Sequence, residues 1–328
     1  MSDAKTPAQS VPVYSGELLC VSDGANMGDP VNFAEDMILD DIYRLIQSPV
    51  SQRLSLCSNG VHFTVSQGTQ TGTPGATVCV DSVLTFMSPD GETTDVLILV
   101  ELDATGHVEH SHVLPLAPLV AKTDYALVTI DTAGARAKLA QVACVSFTRG
   151  THITMASGAQ VPIEDLRPGD RILTRDEGAQ EIRWIGQSTA RASGEFAPIR
   201  IKAGTLNNDH DLIVSPDHRL FIYQRQDRLG AGRSELLIKA RHLVNEDTVR
   251  VMQGGFVDYF QLLFDDHHII YAEGIAAESF FVDPRTSPAL PDDLMGASHG
   301  SGLADLDVQE GLLNRPNVAE ILRRASQR

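Results

Sequence analysis

The sequence has few basic residues and no long apolar run. Lysine and arginine together number 26, against 43 aspartates and glutamates, and the formal net charge is −17. A chain this acidic repels the phosphates of nucleic acids and anionic lipids, so we expect no nucleic-acid partner. No apolar run approaches the roughly 18 residues that a membrane helix needs, so we expect no membrane span.

The N-terminus lacks the features of a Sec signal peptide. Its first residues, MSDAKTPAQSVPVYSG, include a single lysine and no apolar segment. We therefore expect the protein to be cytoplasmic, or to be exported by a route that reads another signal. Residues 1–13 are predicted to form a disordered leader.

Cysteine is scarce, and its spacing matches no metal motif. The four cysteines are Cys20, Cys57, Cys79 and Cys144, and none of them forms a CxxC pair. No Cys/His spacing resembles a zinc site, so the sequence predicts no metal site and no cofactor. Buried thiols are favoured, and one or two disulfides in the N-terminal half remain the alternative.

Residues 14–143 are predicted to form a β-rich domain with one helix. The helix is expected at residues 30–47, where Asp29 precedes Pro30 and apolar residues recur at helical spacing. Asn59-Gly60 and the segment SPDGETT each predict a hairpin turn between two strands. Nothing in this domain indicates catalysis.

A second β-rich block covers residues 144–284 and contains a weak internal repeat with an offset of 77 residues. The paired positions are Leu166 and Leu243, Asp170 and Asp247, and Ile172 and Val249. In each copy an apolar residue is expected to enter a tight turn, the aspartate to close it, and a strand to follow. Two such copies predict a pseudo-twofold β fold. Residues 285–328 are predicted to be a linker and a short C-terminal helix.

Three motifs in this block suggest chemistry. The block opens with SFTRGT from Ser146, Ser215 lies three positions before His218, and His267 and His268 lie in a predicted strand near the end. A nucleophile at the start of a domain, with histidines in its middle and near its end, suits acyl transfer at the preceding peptide bond. Successive strand residues face opposite sides, so at most one of the paired histidines faces the site, and His268 is preferred.

Together these motifs resemble the Hint domain, the Hedgehog/intein module, and most closely its bacterial form attached to an N-terminal β domain. That family opens with Cys or Ser, an aromatic residue, two variable residues, Gly and Thr, and continues with a Thr/Ser-x-x-His motif and a late His in a strand before a Gly-containing turn. The matching residues are Ser146, Phe147, Gly150, Thr151, Ser215, His218, His268 and Gly274. The resemblance covers about residues 144–284 and implies an all-β, horseshoe-shaped, pseudo-twofold domain.

The resemblance also implies an N-to-O acyl shift. Ser146 would attack the carbonyl carbon of Val145, and water or a small nucleophile would open the ester and release the N-terminal domain, which is thus an intramolecular substrate. Ser215 or a nearby backbone N–H would polarise the scissile bond, and His218 would protonate the departing nitrogen. His267 or, by preference, His268 would assist as a base or orient the next nucleophile.

The sequence departs from the family pattern at two places. Inteins that splice usually end in His-Asn, whereas this block ends with Glu278 and Ser279, so splicing is not expected. A serine also needs activation by a base, so Ser146 should react more slowly than a cysteine. Cys144 is a poorer first residue, because that register displaces the aromatic residue and the Gly-Thr pair. A catalytically silent Hint-fold scaffold, or an adhesion or binding protein, remains the alternative function.

Overall fold

The computed structural model describes residues 9–58, 62–143, 146–224, 227, 229–283, 286–291, 294, 303, 306, 308, 310–313 and 321. The chain divides into two compact units, one of Met1–Ala143 with Pro284–Pro291 and one of Cys144–Asp283 with Asp292–Arg328. Strands dominate both units, so the predicted fold class, mainly β, is confirmed. No helix among the described residues has the length and apolar character to cross a membrane.

The first unit contains a large antiparallel sheet and one α-helix among its described residues. The strands are β1 Gln9–Ser15, β2 Leu19–Asp23, β3 Ile42–Leu45, β4 Gln52–Ser58, β5 Phe63–Val65, β6 Thr77–Met87, β7 Thr93–Leu102, β8 Val108–Pro115 and β9 Asp124–Asp131, and the helix is α1 Ala135–Ala143. Their order is β2-β3-β9-β6-β5-β4-β1-β8-β7, and an additional pairing joins β6 to β7. The pairings β4–β5 and β6–β7 confirm both predicted hairpins, although Asn59-Gly60 lies outside the described residues.

Two predictions for this unit are wrong, the disordered leader over residues 1–13 and the helix at residues 30–47. The strand β1 begins at Gln9, inside the predicted leader, because Val11 and Val13 are buried in the core and pair with β4. The leader's first eight residues lie outside the described part of the chain.

The helix predicted at residues 30–47 is instead a 3₁₀ turn, Ala34–Asp36, followed by β3. The carboxylate of Asp41 accepts the N–H groups of Ala25 and Asn26 at 2.8 and 3.3 Å, which stabilises a turn. Tyr43 and Leu45 then alternate into the core with a strand period. The α-helix of this unit is α1, which the sequence analysis did not predict.

The cysteines that the structure describes are thiols. Cys20, Cys57 and Cys79 form no disulfide, as the favoured prediction has it, but they are half-buried and not buried, and Cys144 lies outside the described residues.

The second unit contains short strands in three sheets and one short helix among its described residues. The elements are β10 Phe147–Thr148, β11 His152–Thr154, β12 Gln160–Pro162, β13 Arg171–Leu173, β14 Ala179–Glu181, β15 Trp184–Arg191, β16 Ile199–Ile201, β17 Leu212–Val214, β18 Arg219–Tyr223, β19 Glu235–Lys239, β20 Val249–Val251, β21 Phe256–Leu263, β22 Ile269–Ala272, β23 Ile275–Glu278 and α2 Glu310–Leu313. The predicted C-terminal helix lies almost wholly outside the described residues, which include only Ile321 of it.

The sheet order of this unit is symmetric about its centre. One sheet has the order β15-β21-β10-β17-β16-β20, and another has the order β12-β11-β22-β23-β18-β19. The strands β10 and β17 lie side by side in the first of these sheets. The chain continues from β10 into the hairpin β11–β12 and from β17 into the hairpin β18–β19. In the second sheet these two hairpins lie on opposite sides of the central hairpin β22–β23. This arrangement is the pseudo-twofold fold that the repeat predicts.

The two copies of the repeat use different residues in their turns. Each hairpin is followed by a 3₁₀ turn, Ile163–Asp165 or Ala240–Leu243, and then by a strand. In the first copy the Asp170 carboxylate accepts the N–H of Arg167 at 2.8 Å, as predicted. In the second copy Asn245 Oδ1, not Asp247, accepts three successive backbone N–H groups, because the amide lies earlier in the turn.

Candidate active site

Ser146 lies immediately before β10 and is buried, with 3% of its surface exposed. Its backbone N–H donates to Ser215 Oγ at 3.1 Å, and its carbonyl oxygen accepts the Ser215 N–H at 2.9 Å. Ser215 immediately follows β17, and the antiparallel pairing of Phe147 with Val214 fixes the register that brings the two serines together. The pairing of β10 with β17 therefore builds the centre of the site.

The His218 imidazole completes this centre. Its Nδ1 lies 3.1 Å from the Ser146 carbonyl oxygen, which can only accept a hydrogen bond, so the proton is on Nδ1. The ring also packs on the Phe147 side chain, with a centroid distance of 4.3 Å. Burial lowers the pKa of His218, while the charge of Glu278 and the hydrogen bond to Ser146 act in the opposite direction. The imidazole is therefore neutral at pH 7.

Gln261 contacts the Ser146 hydroxyl, although no sequence motif points to this residue. Its Nε2 donates to Ser146 Oγ at 2.8 Å from the neighbouring strand β21. Gly186 on β15 pairs with Gln261, and a Cβ there would lie 2.2 Å from the Trp184 ring and 2.3 Å from Gln261 Oε1, so the glycine makes room for the ring and for the amide. The one feature of the sequence that could have indicated Gln261 is its polar side chain among the apolar residues at the buried end of a strand.

The structure does not bring His268 to this centre. Its Nδ1 lies 3.8 Å from Glu177 Oε2, and its ring packs against Phe264 at 5.7 Å. Among the described contacts, no hydrogen bond or ring contact joins His268 to Ser146 or His218. The backbone of His268 is tied to Ser279, whose hydroxyl accepts its N–H at 3.0 Å.

His267 instead belongs to a buried charge network beside His218. Its Nε2 lies 3.4 Å from Glu278 Oε2, and the same carboxylate accepts from Arg219 Nε at 2.9 and 2.8 Å. Burial by itself would raise the pKa of Glu278, but Arg219 and His267 outweigh that effect and lower the pKa to about 2. Since Arg219 follows His218 directly, the network fixes the start of β18 and the position of the imidazole.

The site thus combines a buried hydroxyl, a buried amide nitrogen and a neutral imidazole within direct contact of one serine. Gln261 contacts the Ser146 hydroxyl, Ser215 contacts the Ser146 amide nitrogen, and His218 contacts the Ser146 carbonyl oxygen. Hydrogen bonds of this kind polarise the backbone on which they act. Elsewhere in this unit His152, His210 and Glu273 place one potential metal-ligand atom each within 4.8 Å of the others.

Part of the second unit matches a known protein family. The family model described as "Hint domain" matches residues 145–284. The catalytic subunit of the V-type proton ATPase of Candida tropicalis is 30% identical over 86 residues, which cover 25% of this chain and 8% of that relative. This chain therefore spans less than a tenth of the relative's length.

Two solved intein structures are also similar. A variant of the Ssp DnaB mini-intein has a TM-score of 0.27 at 13% identity, covering 42% of this chain and 97% of that one. A variant of the gp41-1 intein has a TM-score of 0.26 at 13% identity, covering 40% of this chain and 98% of that one.

Proposed function

Residues 145–284 belong to the Hint domain family, and from that premise we propose that the protein cleaves its own chain at the Val145–Ser146 peptide bond. Ser146 Oγ bonds to the Val145 carbonyl carbon, the bond from that carbon to Ser146 N breaks, and one proton moves from the hydroxyl to the nitrogen. The product is an ester, and water opens it to give a Val145 carboxylate and a free Ser146 hydroxyl. Val145 itself lies outside the described residues.

The observation that carries this proposal is that both reacting atoms of Ser146 have a polar partner in a buried site. Ser146 N donates to Ser215 Oγ at 3.1 Å, and Ser146 Oγ accepts from Gln261 Nε2 at 2.8 Å. A serine that served only as a strand residue would not need its hydroxyl and its amide nitrogen to be held by two separate side chains. Fixed geometry of this kind lowers the barrier to an intramolecular attack.

Each contact suggests a role. The Ser215 hydroxyl accepts the amide hydrogen in the resting state, and it can donate its own proton once the nitrogen becomes basic. We therefore assign the proton donor of the departing nitrogen to Ser215, where the sequence analysis had assigned it to His218. His218 donates from Nδ1 to the Ser146 carbonyl and holds the residue after the scissile bond in place. Gln261 orients the nucleophilic hydroxyl.

The proposed outcome is cleavage without splicing. Glu278 ends β23 and Ser279 follows it, at the place where splicing inteins usually have His-Asn. The Glu278 carboxylate is committed to Arg219, and Ser279 is bonded to the backbone of His268, so neither side chain can cyclise as asparagine does. Water or a small nucleophile remains to open the ester.

The test is the intact mass of the full chain after prolonged incubation, with and without hydroxylamine. We expect fragments that meet at Val145/Ser146, accelerated by hydroxylamine, and none in Ser146→Ala. The matched control is Ser157→Ala, in an exposed turn of the same unit, which should cleave as the parent does. Ser146→Cys should cleave at least about tenfold faster, because a thiol ionises more readily.

Further variants test the roles. Ser215→Ala should slow cleavage by about 100-fold, a size typical for the loss of one preorganised donor. His267→Ala should slow it through the network of Glu278, whereas His268→Ala should have little effect. A chain that stays intact, together with an inert Ser146→Cys, contradicts the proposal.

A second candidate, a catalytically silent Hint-fold scaffold, is favoured by one observation. The side chain that contacts the nucleophilic hydroxyl, Gln261, is a neutral amide and cannot take up a proton. Gln261→Glu separates the two candidates, because a carboxylate there would supply a base. Cleavage in Gln261→Glu but not in the parent chain would establish the scaffold function for the natural sequence.

A further inference from the structure

We propose that His152, His210 and Glu273 bind a divalent transition-metal ion, with Zn²⁺ as the foremost candidate, on the surface of the second unit. The three ligand atoms lie within 4.8 Å of one another. His152 Nδ1 lies 2.9 Å from Glu273 Oε1, and His210 Nδ1 lies 2.9 Å from Glu273 Oε2. One carboxylate therefore faces two imidazole nitrogens from different parts of the chain.

The spacing of these atoms suits a metal ion. Zinc binds imidazole nitrogen and carboxylate oxygen at about 2.0–2.1 Å, so adjacent ligands of a tetrahedral ion are about 3.4 Å apart. Each nitrogen lies 2.9 Å from a different oxygen of Glu273, so a carboxylate that binds the ion through both oxygens needs each of these distances to widen by only a few tenths of an ångström. On binding, each imidazole presents its Nδ1 lone pair to the ion, and the proton moves to Nε2 or to solvent.

The carboxylate is held in place before any ion arrives. Glu273 is 2% exposed, and its Oε1 also accepts the backbone N–H of His152 at 2.6 Å. Its backbone is fixed as well, because Glu273 N donates to the carbonyl of His152 at 2.9 Å and Asp209 N donates to the carbonyl of Glu273 at 3.0 Å. A site anchored in this way loses little conformational entropy on binding.

The ligand set selects the class of ion and leaves room for an exchangeable ligand. Two imidazoles and one carboxylate favour zinc and its transition-metal neighbours over Mg²⁺ and Ca²⁺, which prefer oxygen ligands. The side chains of His152 and His210 are 37% and 72% exposed, so water can reach the ion.

The consequence is a link between three segments that lead to the candidate active site. His152 opens β11, shortly after Ser146 and β10, and His210 precedes β17, which ends just before Ser215. Glu273 lies in the turn between β22 and β23, and β23 ends with Glu278. A bound ion would therefore hold the start of β11, the segment before β17 and the β22–β23 turn together. It would stabilise the register of these strands at a point away from Ser146 and Ser215.

The experiment uses the full chain with Ser146→Ala, freed of metal by a chelator and titrated with Zn²⁺ alone. We expect one Zn²⁺ per chain by calorimetry and a rise in Tm. His210→Ala should weaken this binding at least about tenfold and abolish the rise in Tm, because it removes an exposed ligand without disturbing the core. Glu273→Gln should do the same while keeping the shape of the side chain.

The matched control is His110→Ala, an exposed histidine of the first unit, which should leave the titration unchanged. Co²⁺ in place of Zn²⁺ should give a visible d–d absorption that His210→Ala removes. Zinc binding of equal strength in His210→Ala and Glu273→Gln, or no binding by the parent chain, overturns the proposal. Because Ser146→Ala cannot cleave, neither result depends on the proposed self-processing.

Discussion

The buried Glu278 carboxylate should make the stability of the second unit depend on pH, and Glu278→Gln should remove that dependence. A pKa lowered from 4.5 to about 2 corresponds to about 3 kcal/mol, since one pKa unit is worth about 1.4 kcal/mol. The stabilisation is complete above the unfolded pKa of 4.5 and is lost as the pH falls toward 2. This value of about 3 kcal/mol agrees with the loss of about 3–5 kcal/mol that is typical when one partner of a buried ion pair is removed, here the counter-ion of Arg219, which is only 17% exposed.

The assay is urea unfolding followed by the fluorescence of Trp184. This is the only tryptophan of the chain, and it contacts Phe280, two residues after Glu278, with a centroid distance of 6.0 Å. The signal therefore reports the second unit separately from the first, which suits a chain of two units that need not unfold together. The free energy of unfolding is measured at pH 7 and again near pH 3, for the parent chain and for the variant.

We expect a difference of about 3 kcal/mol at pH 7 that shrinks steadily between pH 5 and pH 3. Glu181→Gln is the matched control, because the pair of Glu181 with Arg183 is about half exposed and should contribute under about 1 kcal/mol. A Glu278→Gln effect that is equally large at both pH values, or no larger than that of the control, would show that the network does not stabilise the carboxylate as described.

Three further changes test other parts of the structure. Gly186→Ala should slow cleavage about tenfold, because the new methyl group collides with the Gln261 amide as well as with the Trp184 ring. An unchanged rate of cleavage by intact mass would show that the contact of Gln261 with Ser146 is unimportant. Glu101→Gln should destabilise the first unit by about 1–3 kcal/mol at neutral pH, since it breaks the buried 3.0 Å contact with His112. Burial would raise the pKa of Glu101, but the hydrogen bond from His112 lowers the pKa overall. Calorimetry should therefore find that Glu101→Gln costs less stability in acid than at neutral pH. A cost that grows in acid would contradict a stabilising contact between Glu101 and His112. Phe147→Ala, at a side chain only 2% exposed, should cost about 3–5 kcal/mol in the Trp184 assay, and a cost under about 1 kcal/mol would mean that the ring is not part of the core.

Local sequence patterns predicted those features that depend on neighbouring residues. Alternating apolar residues and turn sequences identified the hairpins β4–β5 and β6–β7, and the spacing of the repeat anticipated the symmetric strand order. The failed helix at residues 30–47 shows the limit of this method. Its apolar residues fit a helical period, but the Asp41 carboxylate stabilises a turn by accepting the backbone N–H groups of Ala25 and Asn26, outside the predicted helix. The pairing of β3 with β9 then selects a strand.

The candidate site was predictable only where a motif fixes the spacing. Ser146, Ser215 and His218 follow a family pattern, and the structure brings them into contact. Gln261 comes into contact through sheet pairing across 115 residues, which no local pattern encodes. The choice between His267 and His268 assumed that both lie in a strand, but β22 begins only at Ile269, directly after His268, so strand alternation does not distinguish them.

In the turn between β22 and β23, the residue that suits ligand binding differs from the residue that suits stability. Its two central residues, Glu273 and Gly274, have φ angles of 49° and 78°, the backbone of a type I′ turn, in which Asn-Gly is the favoured sequence. A glutamate in this left-handed conformation costs roughly 1–2 kcal/mol that asparagine largely avoids. An engineer who ranked substitutions by stability alone would choose Glu273→Asn first, and would thereby shorten the side chain that His152 and His210 share. Stability-guided redesign of this hairpin would therefore erase the cluster without disturbing the fold.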